Sequence, residues 1–566
     1  MHQVYNNSIM KQLYILLLLG LLPAALKSQD LQNIGKDPFG FAGSVRMATD
    51  FYSVKGIDPR RSPSSWILSG NASFQLAGIS FPFSFSFRDQ QLSYGASFNQ
   101  FGISPYYKWI TLHAGWRNMT FSPYTLNGRT FLGAGVELTP GSLRLSGFYG
   151  TFKNLLAIQD SVVYGSSTIP IYDRKAFGGK IGFGSEHTYF DLMVVKAWDD
   201  VNTPGVNEDE PNPYYYAYEP KENVIVGSSF KIRIIKKIDL YGNIGASGFT
   251  ENTELETLYT PDISYLENAY TLNASSRFAL AGDAGIRIRI KRNTIGLQYK
   301  RVDPFYNTLT TDYFYNDIEN ITAQFSTSTR KGQVRFSGNL GFEHNNIYNH
   351  QSVTSSRVIG SANVTLMPID PLVLSLRYSN YTQNSESGLL VLNDTLRLAT
   401  TSANFGLMAN YMIGKARNKS IAFYAGRTTI TDNSPVERLD DLTTDMISAS
   451  YSQTIPELDL RVSPSLNYNR YLYPSSRQER IGGGLTVTKS FLEKKISLSL
   501  GSNYSRNDID EFKNGYVISS RVGLSYTPYK TGTFNFSLQH ISNQTILEDA
   551  FSEIRGRLQY TQKLGF

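Results

Sequence analysis

Ser552-Glu553-Ile554-Arg555-Gly556-Arg557-Leu558-Gln559-Tyr560-Thr561-Gln562-Lys563-Leu564-Gly565-Phe566 alternates oily and polar side chains and stops on an aromatic. Ile554, Leu558, Tyr560, Leu564 and Phe566 share one parity, while Glu553, Arg555, Arg557, Gln559 and Lys563 share the other. Successive side chains of a strand point to opposite faces, so this segment has one face for hydrocarbon and one for water. The reading predicts the last strand of a membrane barrel. Leu558, Tyr560, Leu564 and Phe566 are expected to be the C-terminal signal read by the barrel-assembly machinery.

Composition agrees once the alternation is considered. A mean hydropathy of -0.26 is too polar for a bundle of spanning helices, yet only 18% of residues are charged and Tyr and Phe number 37 and 33. A wall with lipid outside and water inside has such a mixed average. Beyond the N-terminus no run approaches the roughly 18 apolar residues that a spanning helix needs.

The one apolar run, Leu13 to Leu22, follows Lys11 and precedes Leu26-Lys27-Ser28. This is the layout of a secretory signal, with cleavage expected after Ser28; initiation at Met10 would give a more conventional one. The chain has no cysteine, which excludes a cysteine-acylated lipoprotein, disulfides and thiolate metal sites. The predicted layout is a signal peptide over 1–28, a short periplasmic segment over 29–43 and a barrel over 44–566.

Other segments repeat the two-faced pattern. Phe81, Phe83, Phe85 and Phe87 oppose Ser80, Pro82, Ser84 and Ser86; Leu143, Leu145, Gly147 and Tyr149 oppose Arg144, Ser146 and Gly150. Phe278, Leu280, Ala284, Ile286 and Ile288 oppose Asp283, Arg287 and Arg289, and Val334, Phe336, Leu340 and Phe342 oppose Gln333, Arg335 and Asn339. A one-residue slip would exchange the faces, so register is strongly specified. Tight turns are expected at 139–141, 236–237, 291–293, 368–370, near Pro456, at 492–494 and at 528–530, with longer polar segments at 153–173, 199–222, 251–275, 381–396 and 428–442. In bacterial barrels short turns are periplasmic and long loops external. The scheme predicts an all-β, antiparallel up-and-down transmembrane barrel of about 26 strands, or 24 if a weak hairpin near Gln90 merges, with both mature termini periplasmic. Too few residues precede the first strand for a separate plug domain.

Phe101-Gly102-Ile103-Ser104-Pro105-Tyr106-Tyr107-Lys108-Trp109, Phe121-Ser122-Pro123-Tyr124 and Gly133-Ala134-Gly135-Val136-Glu137-Leu138-Thr139-Pro140-Gly141 resemble the N-terminal third of a family of large outer-membrane β-barrel proteins of Bacteroidota. The resemblance spans about residues 35–155. It implies a bacterial outer-membrane location and a barrel fold, and brings no catalytic residues with it.

Catalysis is not expected from these residues. The six histidines, His2, His113, His187, His344, His350 and His540, are scattered, and Gly245-Ala246-Ser247-Gly248 lacks the spacing of a nucleophile elbow. No cofactor motif is present. Asp199, Asp200, Glu208, Asp209 and Glu210 crowd one loop whose oxygen ligands are of the kind that hold calcium, but without EF-hand spacing they read as solvated, and no metal is assigned. Tyr214, Tyr215, Tyr216 and Tyr218 of that loop are candidates to stack on a sugar or a protein, or to pack on the barrel rim.

Arg46, Arg144, Arg233, Arg287, Arg289 and Arg335 share lumen parity near the predicted periplasmic end, with Lys180, Lys231, Arg377 and Arg521 farther along. As a collar they would favour anions. The competing reading pairs them across the wall with Asp50, Glu137, Asp191, Asp283 and Glu553. Their dispersal through strands gives no nucleic-acid-binding face. Two functions remain open: a wide conduit for polar solutes or an exported client, and a scaffold in surface assembly or secretion whose lumen is closed by loops or by a partner. The expected surroundings are outer-membrane lipid, the assembly machinery and such a lumen-closing or client protein.

Overall fold

The computed structural model describes residues 39–565 apart from 77, 89–99, 153–154, 159–166, 171, 204–218, 259–269, 312–315, 330, 349–355, 386–397, 415, 433–440 and 547–548. The predicted signal peptide, the four loop tyrosines and Phe566 lie outside the described residues.

A single antiparallel sheet runs the length of the chain and closes on itself. The first strand, Phe39–Lys55, pairs on one side with Ser64–Leu76 and on the other with the last strand, Phe551–Gly565. Met47 faces Tyr560 and Asp50 faces Arg557 across that seam. There are 26 crossings, the fourth of them in two pieces, Gln100–Ile103 and Tyr106–Tyr107. A small hairpin, Leu155–Ile158 with Ser167–Pro170, stands apart from the wall. No separate plug domain occurs among the described residues, and no helix there is long and apolar enough to cross a membrane.

Closure follows from the sequence pattern. An open sheet of this size would leave two long unpaired edges, and a barrel removes them. Both ends of the described chain lie at one rim, where the connections are short: Lys236-Lys237, Lys291-Arg292, Asp370-Pro371 and the turn of Pro456–Leu458. The opposite rim carries the long connections through most of the chain. It departs from the expected alternation in the last third, where Ile509 pairs with Phe512 around Asp510-Glu511. Both of those residues have positive φ, 48° and 70°, as a two-residue hairpin requires.

The outer face is apolar: Phe278 is 71% exposed, Leu466 67% and Phe342 66%. On a soluble protein such a continuous belt would be an aggregation surface, and on a barrel it is the band that meets acyl chains. Toward the long-loop rim the outer face turns charged, with Asp445 held between Arg427 at 2.6 Å and Arg470, which marks the edge of the hydrocarbon.

Candidate functional site in the lumen

The inner face is of two kinds. On one side the strands carry apolar residues inward as well as outward. In Tyr189–Asp200, Leu192 and Val194 are 48% and 47% exposed while Met193 and Val195 are 2% and 1% exposed. Lipid meets the first pair, so something in the lumen must cover the second.

Two connections from the long-loop rim do so. Residues 121–126 fold inward, placing Phe121 and Leu126 against Phe131, Phe148, Phe152, Met193 and Phe249. Residues 303–311 follow, with Leu309 in the same cluster and Tyr306 packed with Tyr124, Ala281, Val302 and Ile318. Phe131 sits 5.1 Å from Phe148, and Tyr124 meets Tyr306 edge-on at 6.4 Å. Fully burying each such side chain is worth about 1.5–3 kcal/mol.

Hydrogen bonds join the two loops to each other. Tyr306 Oη donates to the Tyr124 carbonyl at 2.7 Å and Thr310 Oγ1 to the Thr125 carbonyl at 2.5 Å, while Arg129 of the wall strand Asn127–Leu138 donates from Nη1 to the Leu309 carbonyl at 2.6 Å. Burial holds the phenols of Tyr124 and Tyr306 above their ordinary range, so Tyr306 remains a donor. The wall holds the pair in turn. Asn223 Oδ1 accepts from the Leu309 N–H at 3.2 Å, and Ser247 Oγ donates to the Asn307 carbonyl at 2.7 Å. Gly245 leaves the room: a Cβ there would lie 2.5 Å from Tyr306 Oη and 2.9 Å from Tyr124 Cβ.

The other side of the lumen is polar. Arg377 donates to Asn363 at 3.2 Å, Arg480 to Asn507 at 2.8 Å and Arg557 to Asp50 at 2.7 Å, while Arg555 pairs with the buried Glu553. Among the described residues no apolar cluster covers this side.

The six arginines assigned to a collar all face inward, and several have carboxylate partners. Arg144 forms a two-pronged pair with Asp191 at 2.8 and 3.0 Å. Arg233, at 2.8 Å, and Arg289 share Asp239, a carboxylate 1% exposed. Arg287 lies over the Tyr241 ring at 5.2 Å. Arg335 is the second residue of Val334–Asn345, close to a short turn, whereas Arg46 stands at mid-strand in Phe39–Lys55, above the others. Arg144 to Arg335 span one side of the wall rather than a full ring.

Of the carboxylates expected to pair with them, Asp191 does so. Asp50 binds Arg557, Glu553 binds Arg555, Asp283 accepts from Asn243 and Gln298, and Glu137 lies beside His113. Asp199 and Asp200 of the acidic loop are taken up by Arg174 and Lys175, and Glu208, Asp209 and Glu210 lie outside the described residues. His344 approaches Glu319 on the outer rim, His540 contacts Ser552 on the outer face, and His113 contacts Ser104.

The sequence reading missed the two inward loops. Their signal lay in apolar residues at lumen parity, Phe131, Phe148, Phe152, Met193, Val195 and Ile225, in strands otherwise read only for their outward set.

Fold and lumen together define a barrel of the membrane-spanning class. No protein-family profile and no curated protein matches the chain. Among solved structures it is similar to the FrpB iron transporter from Neisseria meningitidis, at 12% identity over 95% of this chain and 84% of that one, with a TM-score of 0.38. It is also similar to the P pilus usher PapC translocation pore, at 10% identity over 93% and 99% with a TM-score of 0.35. A third is the ferric enterobactin receptor PfeA from Pseudomonas aeruginosa, at 9% identity over 93% and 80% with a TM-score of 0.41. Likenesses at this level carry no conclusion about substrate.

Proposed function

We propose that the chain is an integral barrel of a bacterial outer membrane, with both mature termini periplasmic, acting as a conduit that its own loops narrow from within. A barrel of 16 to 18 strands already leaves an aqueous channel, so 26 unobstructed strands would leak. The packing of residues 121–126 and 303–311 against one inner wall carries this reading. It confines passage to the polar side and makes a stopper from a second protein unnecessary for restricting small solutes. The signal-like N-terminus and the aromatic C-terminal strand support export and assembly in that membrane, and the resemblance of residues 101–141 supports a Bacteroidota source. The loop bearing Tyr214, Tyr215, Tyr216 and Tyr218 is then an external contact surface for sugar or protein.

Anion preference rests on the lumenal cations that are not neutralised in two-pronged pairs, Arg287 and Arg335 foremost. Replacing both by serine is expected to leave folding intact and to lower the anion-to-cation permeability ratio, read as reversal potential across a planar bilayer under a salt gradient. An unchanged ratio removes the anion preference. A scaffold whose lumen a partner closes would instead copurify with that partner under mild detergent and conduct no current alone.

A further inference from the structure

We infer that Ser104, His113 and Glu137 form a nucleophilic site on the inner wall, suited to cleaving a carboxylic ester that carries a negative charge. This stands apart from the conduit reading and survives its failure.

The three residues come from adjacent crossings. Ser104 lies where the fourth crossing is broken, between Gln100–Ile103 and Tyr106–Tyr107; its N–H is held by the Pro82 carbonyl at 3.0 Å, and Pro105 has no N–H to continue the ladder. Such interruptions re-aim a side chain. His113 belongs to Ile110–Thr120 and Glu137 to Asn127–Leu138. The alternation of the paired strands turns all three inward, with His113 opposite Gly135 and Glu137 opposite Ser146.

Ser104 Oγ is 2.9 Å from His113 Nδ1, and the far ring nitrogen, Nε2, is 3.3 Å from Glu137 Oε1. That second contact is close enough for an ion pair yet off the line of a hydrogen bond, since Nε2 has no bonded acceptor. Contacts of this kind commonly tighten when substrate arrives. With the ring proton on Nε2 facing the carboxylate, Nδ1 is left to accept from the serine hydroxyl. A hydroxyl, an imidazole and a carboxylate in that order are the means by which a serine is made nucleophilic.

Ser104 opens onto a recess of about 590 Å³, lined on its lumenal side by Ser44, Asn71, Ser73, Ser84, Arg117 and Lys563. Its small side chains leave room for a ligand, and its two cations select a negative one. Arg117 Nη1 donates to Ser84 Oγ at 2.8 Å and its Nε is buried without an acceptor, which sets a guanidinium on the recess that Ser104 also lines, the charge an oxyanion needs nearby. Gly102 permits this placement, because a Cβ there would lie 3.0 Å from Arg117 Cζ.

The reaction is hydrolysis. Ser104 Oγ bonds to the ester carbonyl carbon as its proton passes to His113 Nδ1, and negative charge gathers on the carbonyl oxygen beside Arg117. The carbon–oxygen ester bond then breaks, and His113 returns the proton to the departing alcohol. Water, deprotonated by His113, attacks the acyl carbon and releases the acid, and the proton returns to Ser104 Oγ. Glu137 is a positioning residue that stabilises the transient imidazolium.

The test uses the full chain folded in detergent micelles, with heat-modifiable gel mobility as the check on folding. A fluorophosphonate probe should label Ser104, mapped by mass spectrometry, with labelling lost in Ser104→Ala and slowed about 10²–10⁴-fold in His113→Gln. Glu137→Gln should alter the pH profile of labelling, and Glu137→Asp should partly restore it. Because the chain has no cysteine, Ser104→Cys creates a unique thiol. Its alkylation by iodoacetamide should have a midpoint below the roughly 8.5 of a free thiol, returning there when His113→Gln is added. A folded protein that takes no label, labelling that survives Ser104→Ala, or an ordinary thiol profile each overturns the assignment.

Discussion

Asp191 and Asp239 are nearly sealed from water, at 2% and 1% exposure, and each is held by arginine. Removing one partner of a buried pair strands the other charge, a loss of about 3–5 kcal/mol. Arg144→Ser should therefore destabilise the barrel by that order, measured as a fall in the urea midpoint in micelles, whereas Arg335→Ser should leave it near wild type. Equal stabilities would mean that the Arg144 pair does not matter to folding. Parity was legible here and partnership was not. Every second residue had to face inward, so the lumenal position of Arg144 could be read from Leu143 and Leu145 beside it. That its partner would be Asp191, 47 residues on, depended on two strand registers that sequence alone does not supply. Ser104 and Glu137 were hidden beside His113 for the same reason.

A strand meets its environment as a unit, and the outward set decides whether it inserts. Ile286 lies with Phe278 and Leu280 on the lipid side of Ser276–Ile290, where an arginine near the bilayer centre costs about 2–4 kcal/mol. Ile286→Arg should accordingly reduce the heat-modifiable folded fraction in a refolding titration, and full recovery would place that face elsewhere. The short turns at 236–237, 291–293 and 492–494 were readable because charged and polar residues interrupt two alternating runs. Residues 121–126 and 303–311 were not, since a loop that folds inward satisfies its apolar residues against a wall built from distant strands. Gly245 exposes this dependence: Gly245→Val would press on Tyr306 and Tyr124 and drive both loops from the wall. The expected signs are faster proteolysis within 303–311 and unchanged strand content by circular dichroism. Protection equal to wild type would show that the loops are not seated on Gly245.

At the scale of the molecule, alternation repeated along the whole chain required a closed wall, and even parity brought the two ends to one rim. The count of 26 held: Ile79–Arg88 and the two-piece crossing that begins at Gln100 are separate crossings of the wall, so the hairpin near Gln90 does not merge. What the lumen contains was beyond the same logic, because covering an inner wall is a property of loops and wall together. The constriction is off-centre: one inner side is packed with Phe131, Phe148, Tyr306 and their neighbours, and the other is polar. Single-channel conductance in planar bilayers tests this most directly, comparing wild type with Gly245→Val under identical salt. The prediction is a small, steady wild-type current that rises several-fold in the variant as the loops leave the wall. A wild-type current already as large as an unobstructed tube of this width would give, and unmoved by the substitution, would contradict it.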